Sequence, residues 1–123
     1  MTLLTPADEL RAAAHLIRRH ADGVTPGPWK SEASVQYGHR VGAADNSAWV
    51  ARTGDRDEEH SARDADWIAL MHPVLGAALA EWLDGTAATV EAVSRKIPEG
   101  ADERDHWLAP ALAVARAVNG TAR

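Results

Sequence analysis

The chain has 123 residues, 46% of them hydrophobic and 25% charged, and a net charge of −5. It has no cysteine, which excludes disulfides, thiolate chemistry and cysteine-based zinc sites, and its acidic balance argues against general nucleic-acid binding, which needs a basic footprint. No run reaches the roughly 18 apolar residues of a membrane span, and residues 1–6 lack the basic and long apolar regions of a signal peptide, so a cytoplasmic protein without a membrane partner is expected.

The length suits one domain covering 1–123. The first helix is expected over 6–21. Thr5 is its N-cap, Pro6 suits the first helical position, and Asp8 sits where a carboxylate reaches back to the cap. Leu10, Ala13, Ala14 and Ile17 fall on one face at i, i+3, i+4, i+7 spacing. Arg11, Arg18, Arg19 and His20 fall mostly on the others and complement the C-terminal dipole.

Thr25-Pro26-Gly27-Pro28-Trp29 is then a joint. Two prolines restrict the backbone on either side of a glycine. The expected role of Pro26, Gly27 and Pro28 is structural: they turn the chain into a β segment and anchor Trp29 against the core. A β meander is expected over about 29–52, in short pieces at 34–37, 39–41 and 48–51 separated by Gly38, Gly42 and Asp45-Asn46. So short a ribbon must lie on helices, here through Val35, Tyr37, Val41, Trp49 or their alternates. Thr53 to Glu59 reads as a solvated acidic loop.

Ser61-Ala62-Arg63-Asp64 has the pattern of a capping box opening a helix over about 62–71. His72-Pro73 breaks it, since the residue before proline is pushed out of the helical region. A long helix follows from Pro73 to about Lys96, with Leu75, Leu79, Trp82, Leu83, Thr86, Val90 and Val93 at helical spacing. A last helix over 109–118 starts at Pro110, shows Leu112, Ala115 and Val118 on one face and stops at Asn119-Gly120. The expected fold is α+β: a small antiparallel sheet of two to three strands packed on three to four helices.

Chemistry is sparse. His60 and Asp64 lie four apart, and with His72 or His39 they make a His/His/carboxylate set of the kind that suits zinc or another divalent ion. The bland alternative is a cap-region histidine among acids at His60, and a ring that caps a helix end at His72. The acids from Asp55 to Asp66 read as a solvated surface rather than a shielded acid–base pair. No G-x-S-x-G elbow, P-loop or G-x-G-x-x-G is present. Arg18 and Arg19, at the basic end of the first helix, suit phosphates, or they pair with the acidic loop or face water. Trp67 and Trp82 read as core. Trp107 reads as core or, if exposed, as a partner-binding anchor.

The T-P-G-P-W element at Thr25 to Trp29, the helix start Asp64-Ala65-Asp66-Trp67-Ile68-Ala69-Leu70-Met71-His72-Pro73 and the ending Ala111-Leu112-Ala113-Val114-Ala115-Arg116-Ala117-Val118 resemble those of a group of small uncharacterised actinobacterial and actinophage proteins. The resemblance covers residues 25–118 in patches. It implies a phage-derived or mobile-element-associated small protein and no particular reaction. Some members of that group carry metal-suggestive cysteines before the last helix, where this chain has none.

The leading expectation is a non-enzymatic protein-interaction module that takes a protein partner or self-associates. One alternative is a small metal-dependent hydrolase using His60, Asp64 and His72. Another is a regulator touching nucleic acid through the basic end of the first helix.

Overall fold

The computed structural model describes residues 4–94 and 105–121. Their order is α1 (Pro6–Ala21), β1 (Trp29–Ser34), β2 (Gly38–Ala43), β3 (Trp49–Gly54), α2 (Ser61–Leu70), α3 (Pro73–Ser94) and α4 (Asp105–Thr121). The α+β class, with four helices and a three-stranded antiparallel sheet, is as expected. The chain divides into two compact units: α1, most of α3 and α4 form one, and residues 21–76 form the other. Among the described residues, no helix is long and apolar enough to cross a membrane.

The helical unit is built on small side chains. The Asp8 N–H donates to Thr5 Oγ1 at 3.1 Å, and the Thr5 N–H donates back to the Asp8 carboxylate at 3.1 Å. This reciprocal pair satisfies two of the amides that a helix start leaves without partners. Leu10, Ala13 and Ala14 are buried, and Ile17 packs against them, as the spacing predicts. From α3 the cluster takes Ala80, Leu83, Ala87 and Val90; from α4 it takes Leu108, Ala111 and Ala115. The alanines let helix backbones approach closely, and Leu10 and Leu83 fill the space left between them.

Two expectations in this unit are corrected. Trp82 is exposed rather than core. The buried stripe of α3 runs through Ala80, Leu83, Ala87 and Val90 and leaves the indole beside it. The last helix begins at Asp105, not at Pro110. Pro110 removes one backbone hydrogen bond, but Leu108, Ala111 and Ala115 hold one buried face at i, i+3, i+7 across it. The expected end of α3 near Lys96 lies outside the described residues.

In the second unit the strand order is β1-β2-β3, with Ser31 opposite Val41 and Val41 opposite Ala51. Of residues 34–37, expected as a strand, Ser34 ends β1 and the other three form the turn between β1 and β2. The Ser34 hydroxyl accepts from the N–H groups of Gln36 and Tyr37 at 3.2 and 3.3 Å, giving the backbone an alternative to the ladder. Gly38 closes the turn at φ 72°, and a Cβ there would stand 2.3 Å from the Gly54 carbonyl oxygen. The second turn is longer than the two residues expected. Ala43 N–H donates to Ala48 O at 2.9 Å, and Asn46 takes φ 65° between them. Only Val41 of the four proposed sheet anchors is buried; Val35, Tyr37 and Trp49 are exposed.

The sheet's covered face lies on α2. Val41 packs with Ala65 and Ala69, joined by Trp29, Val50 and Ile68. The joint does anchor Trp29, whose indole Nε1–H donates to the Thr25 carbonyl at 2.9 Å. The Gly27–Pro28 bond is cis. Gly27 fits closely against the α2–α3 corner, where a Cβ would meet His72 Nδ1 at 3.0 Å and Val74 Cγ2 at 3.1 Å. The capping box expected at Ser61 is not formed. His60 is the N-cap and makes no side-chain cap bond. Ser61 is the first helical residue; it is buried, and its hydroxyl donates to Asp55 O at 2.8 Å.

Candidate interaction surface

The side of α2 turned from the sheet leaves large apolar side chains in water. Helical spacing puts Ser61, Ala65, Ile68 and Ala69 toward the strands and Arg63, Asp64, Trp67 and Leu70 on the other side. The sheet therefore takes the small residues, and the bulky ones are left out. Trp67 is 63% exposed and Leu70 is 60% exposed. Met71 and Val74 follow at the corner, 43% and 57% exposed. Trp67, the aromatic expected in the core, is thus a surface residue. Large apolar side chains grouped on a surface mark contact sites more often than isolated ones do.

The corner that carries them is well held. Met71 caps α2, its N–H reaching the carbonyls of Trp67 and Ile68 at 3.1 Å each. His72 Nδ1 accepts from the Val74 N–H at 3.2 Å, so the ring caps the start of α3. Gly76 N–H donates to His72 O at 3.2 Å. Trp67, Leu70, Met71 and Val74 therefore project from a corner that these backbone and His72 hydrogen bonds hold.

An acidic segment precedes this surface. Between 55 and 66 stand Asp55, Asp57, Glu58, Glu59, Asp64 and Asp66, against Arg56 and Arg63. Asp55 pairs with Arg52, the Glu58 carboxylate accepts from the Asp55 N–H at 3.1 Å, and Asp66 accepts from the Ser31 hydroxyl. Asp57, Glu59 and Asp64 are exposed. Asp64 is three residues before Trp67 and shares its outward face.

The structure does not gather the expected metal ligands. His60 is exposed, with Nε2 3.9 Å from Glu59, and His72 is occupied at the α3 cap. Among the described residues, no three His, Asp or Glu side chains are placed to hold a metal ion. His39 instead meets Ser61 Oγ. That pair has the composition of a base and a nucleophile, but Ser61 is only 2% exposed and donates its single proton to the Asp55 carbonyl. It therefore ties β2 to the start of α2, with Thr53 Oγ1 donating to Ser61 O at 2.6 Å. A hollow of about 200 Å³ beside it is lined by Ser31, His39, Ala65 and Asp66.

The basic residues of α1 are not all available. Arg18 pairs with Asp84 and Arg11 with Glu91, both of α3, rather than with the acidic loop. The hydrogen bond to Glu91 holds the Arg11 guanidinium above its usual pKa, and the bond to Glu9 does the same for Arg116. Arg19 is exposed. Trp107 is at the margin of exposure on α4.

The open face of the sheet holds a cluster absent from the sequence expectation. Tyr37 and Trp49 meet edge to face with centroids 5.1 Å apart, and the Arg40 guanidinium lies 4.1 Å over the Trp49 ring. Glu32 neutralises Arg40 from β1. The only sequence signal was weak: Lys30, Glu32, Arg40 and Arg52 sit at alternate positions of facing strands. These groups satisfy one another, whereas the apolar side chains of the α2 corner do not.

Compared with family models, with curated proteins and with solved structures, the chain matches none of them.

Proposed function

We propose that this chain is a protein-interaction module and that the α2–α3 corner is its docking surface. The observation that carries this is the exposure of Trp67, Leu70, Met71 and Val74 on a backbone fixed by its own caps. Tryptophan supplies large contact area with few rotatable bonds and is enriched at binding hot spots. Hiding such side chains against a partner gains about 25 cal/mol per Å² of apolar surface removed from water. The test is affinity capture from a lysate of the source organism, with wild type and the Trp67→Ala/Leu70→Ala variant as baits. A protein retained by wild type and lost from the variant is expected. Identical capture by the two baits, with circular dichroism showing both folded, overturns the reading. Light scattering on the purified chain measures whether the same surface serves self-association.

A further inference from the structure

Resting on that reading, we infer that the α2–α3 corner takes a basic amphipathic segment of a partner protein. Its apolar side would lie on Trp67, Leu70 and Met71, and its lysines or arginines would face Asp57, Glu59 and Asp64. The argument is charge complementarity beside an unfilled apolar surface. Asp64, one turn before Trp67 on α2, and Asp57 and Glu59, in the segment that leads into that helix, are exposed, and none of the three is engaged by an arginine or lysine ion pair. Arg56 and Arg63 offset part of this charge, but the stretch 55–66 remains acidic by six side chains against two. The whole chain is acidic as well, at −5. A field of that sign speeds encounter with a cationic segment and penalises an acidic one. It also repels an anionic lipid surface, which recruits basic segments rather than acidic ones. Laying the apolar face of a helix on a hydrophobic surface is a recurring mode of peptide recognition.

The test uses the full chain and three labelled synthetic peptides that share one leucine-bearing helical face. They carry lysine, glutamine or glutamate on the flanks, and binding is read by fluorescence anisotropy. The lysine peptide is expected to bind about tenfold tighter than the glutamine peptide at low salt, as steering and complementarity predict. That preference shrinks as ionic strength rises toward 0.15 M, where charges are screened beyond about 8 Å. Asp57→Asn/Glu59→Gln/Asp64→Asn should remove most of the preference and leave binding of the glutamine peptide in place. Trp67→Ala/Leu70→Ala should remove binding of all three.

Equal binding of the three peptides overturns the basic partner and leaves the corner as a docking surface. A concentration-dependent dimer abolished by Trp67→Ala overturns it in favour of a second copy. Binding to vesicles containing anionic lipid overturns it in favour of a membrane surface. If no peptide binds, the inference fails; the bait comparison under Proposed function then decides the wider reading separately.

Discussion

The helical unit encloses leucines, whereas α2 of the sheet unit leaves its bulkiest side chains in water. In the helical unit, Leu10 and Leu83 are fully buried among alanines from three helices. In the sheet unit, α2 gives Ser61, Ala65 and Ala69 to the strands and leaves Trp67 and Leu70 in water. The two units use one packing device, small residues at close contacts, with different results. Three helices meeting enclose a volume that leucines fill. One helix on a small sheet encloses little, so its outer face stays uncovered. An apolar outer face of that kind adds little to the fold's stability, and it is the surface on which the proposed function rests.

That contrast can be broken by mutation, starting with the largest effect. Leu83→Ala should cost about 2–5 kcal/mol, as core leucine truncations do, read from the urea midpoint. Trp67→Ala, although it deletes far more apolar surface, should change stability by no more than about 0.5 kcal/mol, the usual range for an exposed site. A loss at Trp67 comparable to that at Leu83 would show that the α2 corner is packed after all. Ala65→Leu should cost about 1–3 kcal/mol through overpacking against Val41. Little change there would mean that the helix–sheet contact is looser than the burial of Ala65 indicates.

Smaller effects sharpen the local account. Thr5→Ala should cost about 1 kcal/mol through loss of the cap on α1. Asp8 adds a pH signature. The Thr5 backbone N–H, and then the Thr5 hydroxyl, hold its carboxyl below the usual aspartate range. Its contribution is therefore complete above the ordinary carboxylate pKa and is lost as pH falls through the lowered value. Thermal melts from pH 7 down to pH 2 should show Asp8→Asn losing less stability on acidification than wild type. Parallel curves would remove the cap bond as the cause.

Legibility followed the same division. The α1 bounds, its cap and its buried face were all readable, because a Thr-Pro-x-Asp start and a period of 3.6 are local signals. The His72 cap was also readable from the proline after it. The strands were legible in part: 39–41 and all but the first residue of 48–51 fall on β2 and β3, but Ser34 and Gly38 flank a turn where 34–37 read as a strand. Ser61 looked like a cap, yet it lies one residue inside α2, drawn to the Asp55 carbonyl. Leucine and alanine at i, i+3, i+7 carried α4 through Pro110, which read as a start signal. The Tyr37–Arg40–Trp49 cluster gave only a weak signal because its members come from a turn and two facing strands.

The amino-acid order by itself determined three to four helices with a small β segment between the first two, the cap of α1, the Trp29 anchor and the absence of cysteine chemistry. These depend on neighbours within a few residues, where backbone preference and side-chain reach act directly. The tertiary structure alone decided which face of α2 is buried. Periodicity states that apolar residues share a side, but the strands selected the side on which alanine permits close approach. That choice left Trp67 and Leu70 outside, beside Asp64, and so made the surface on which the proposed function rests.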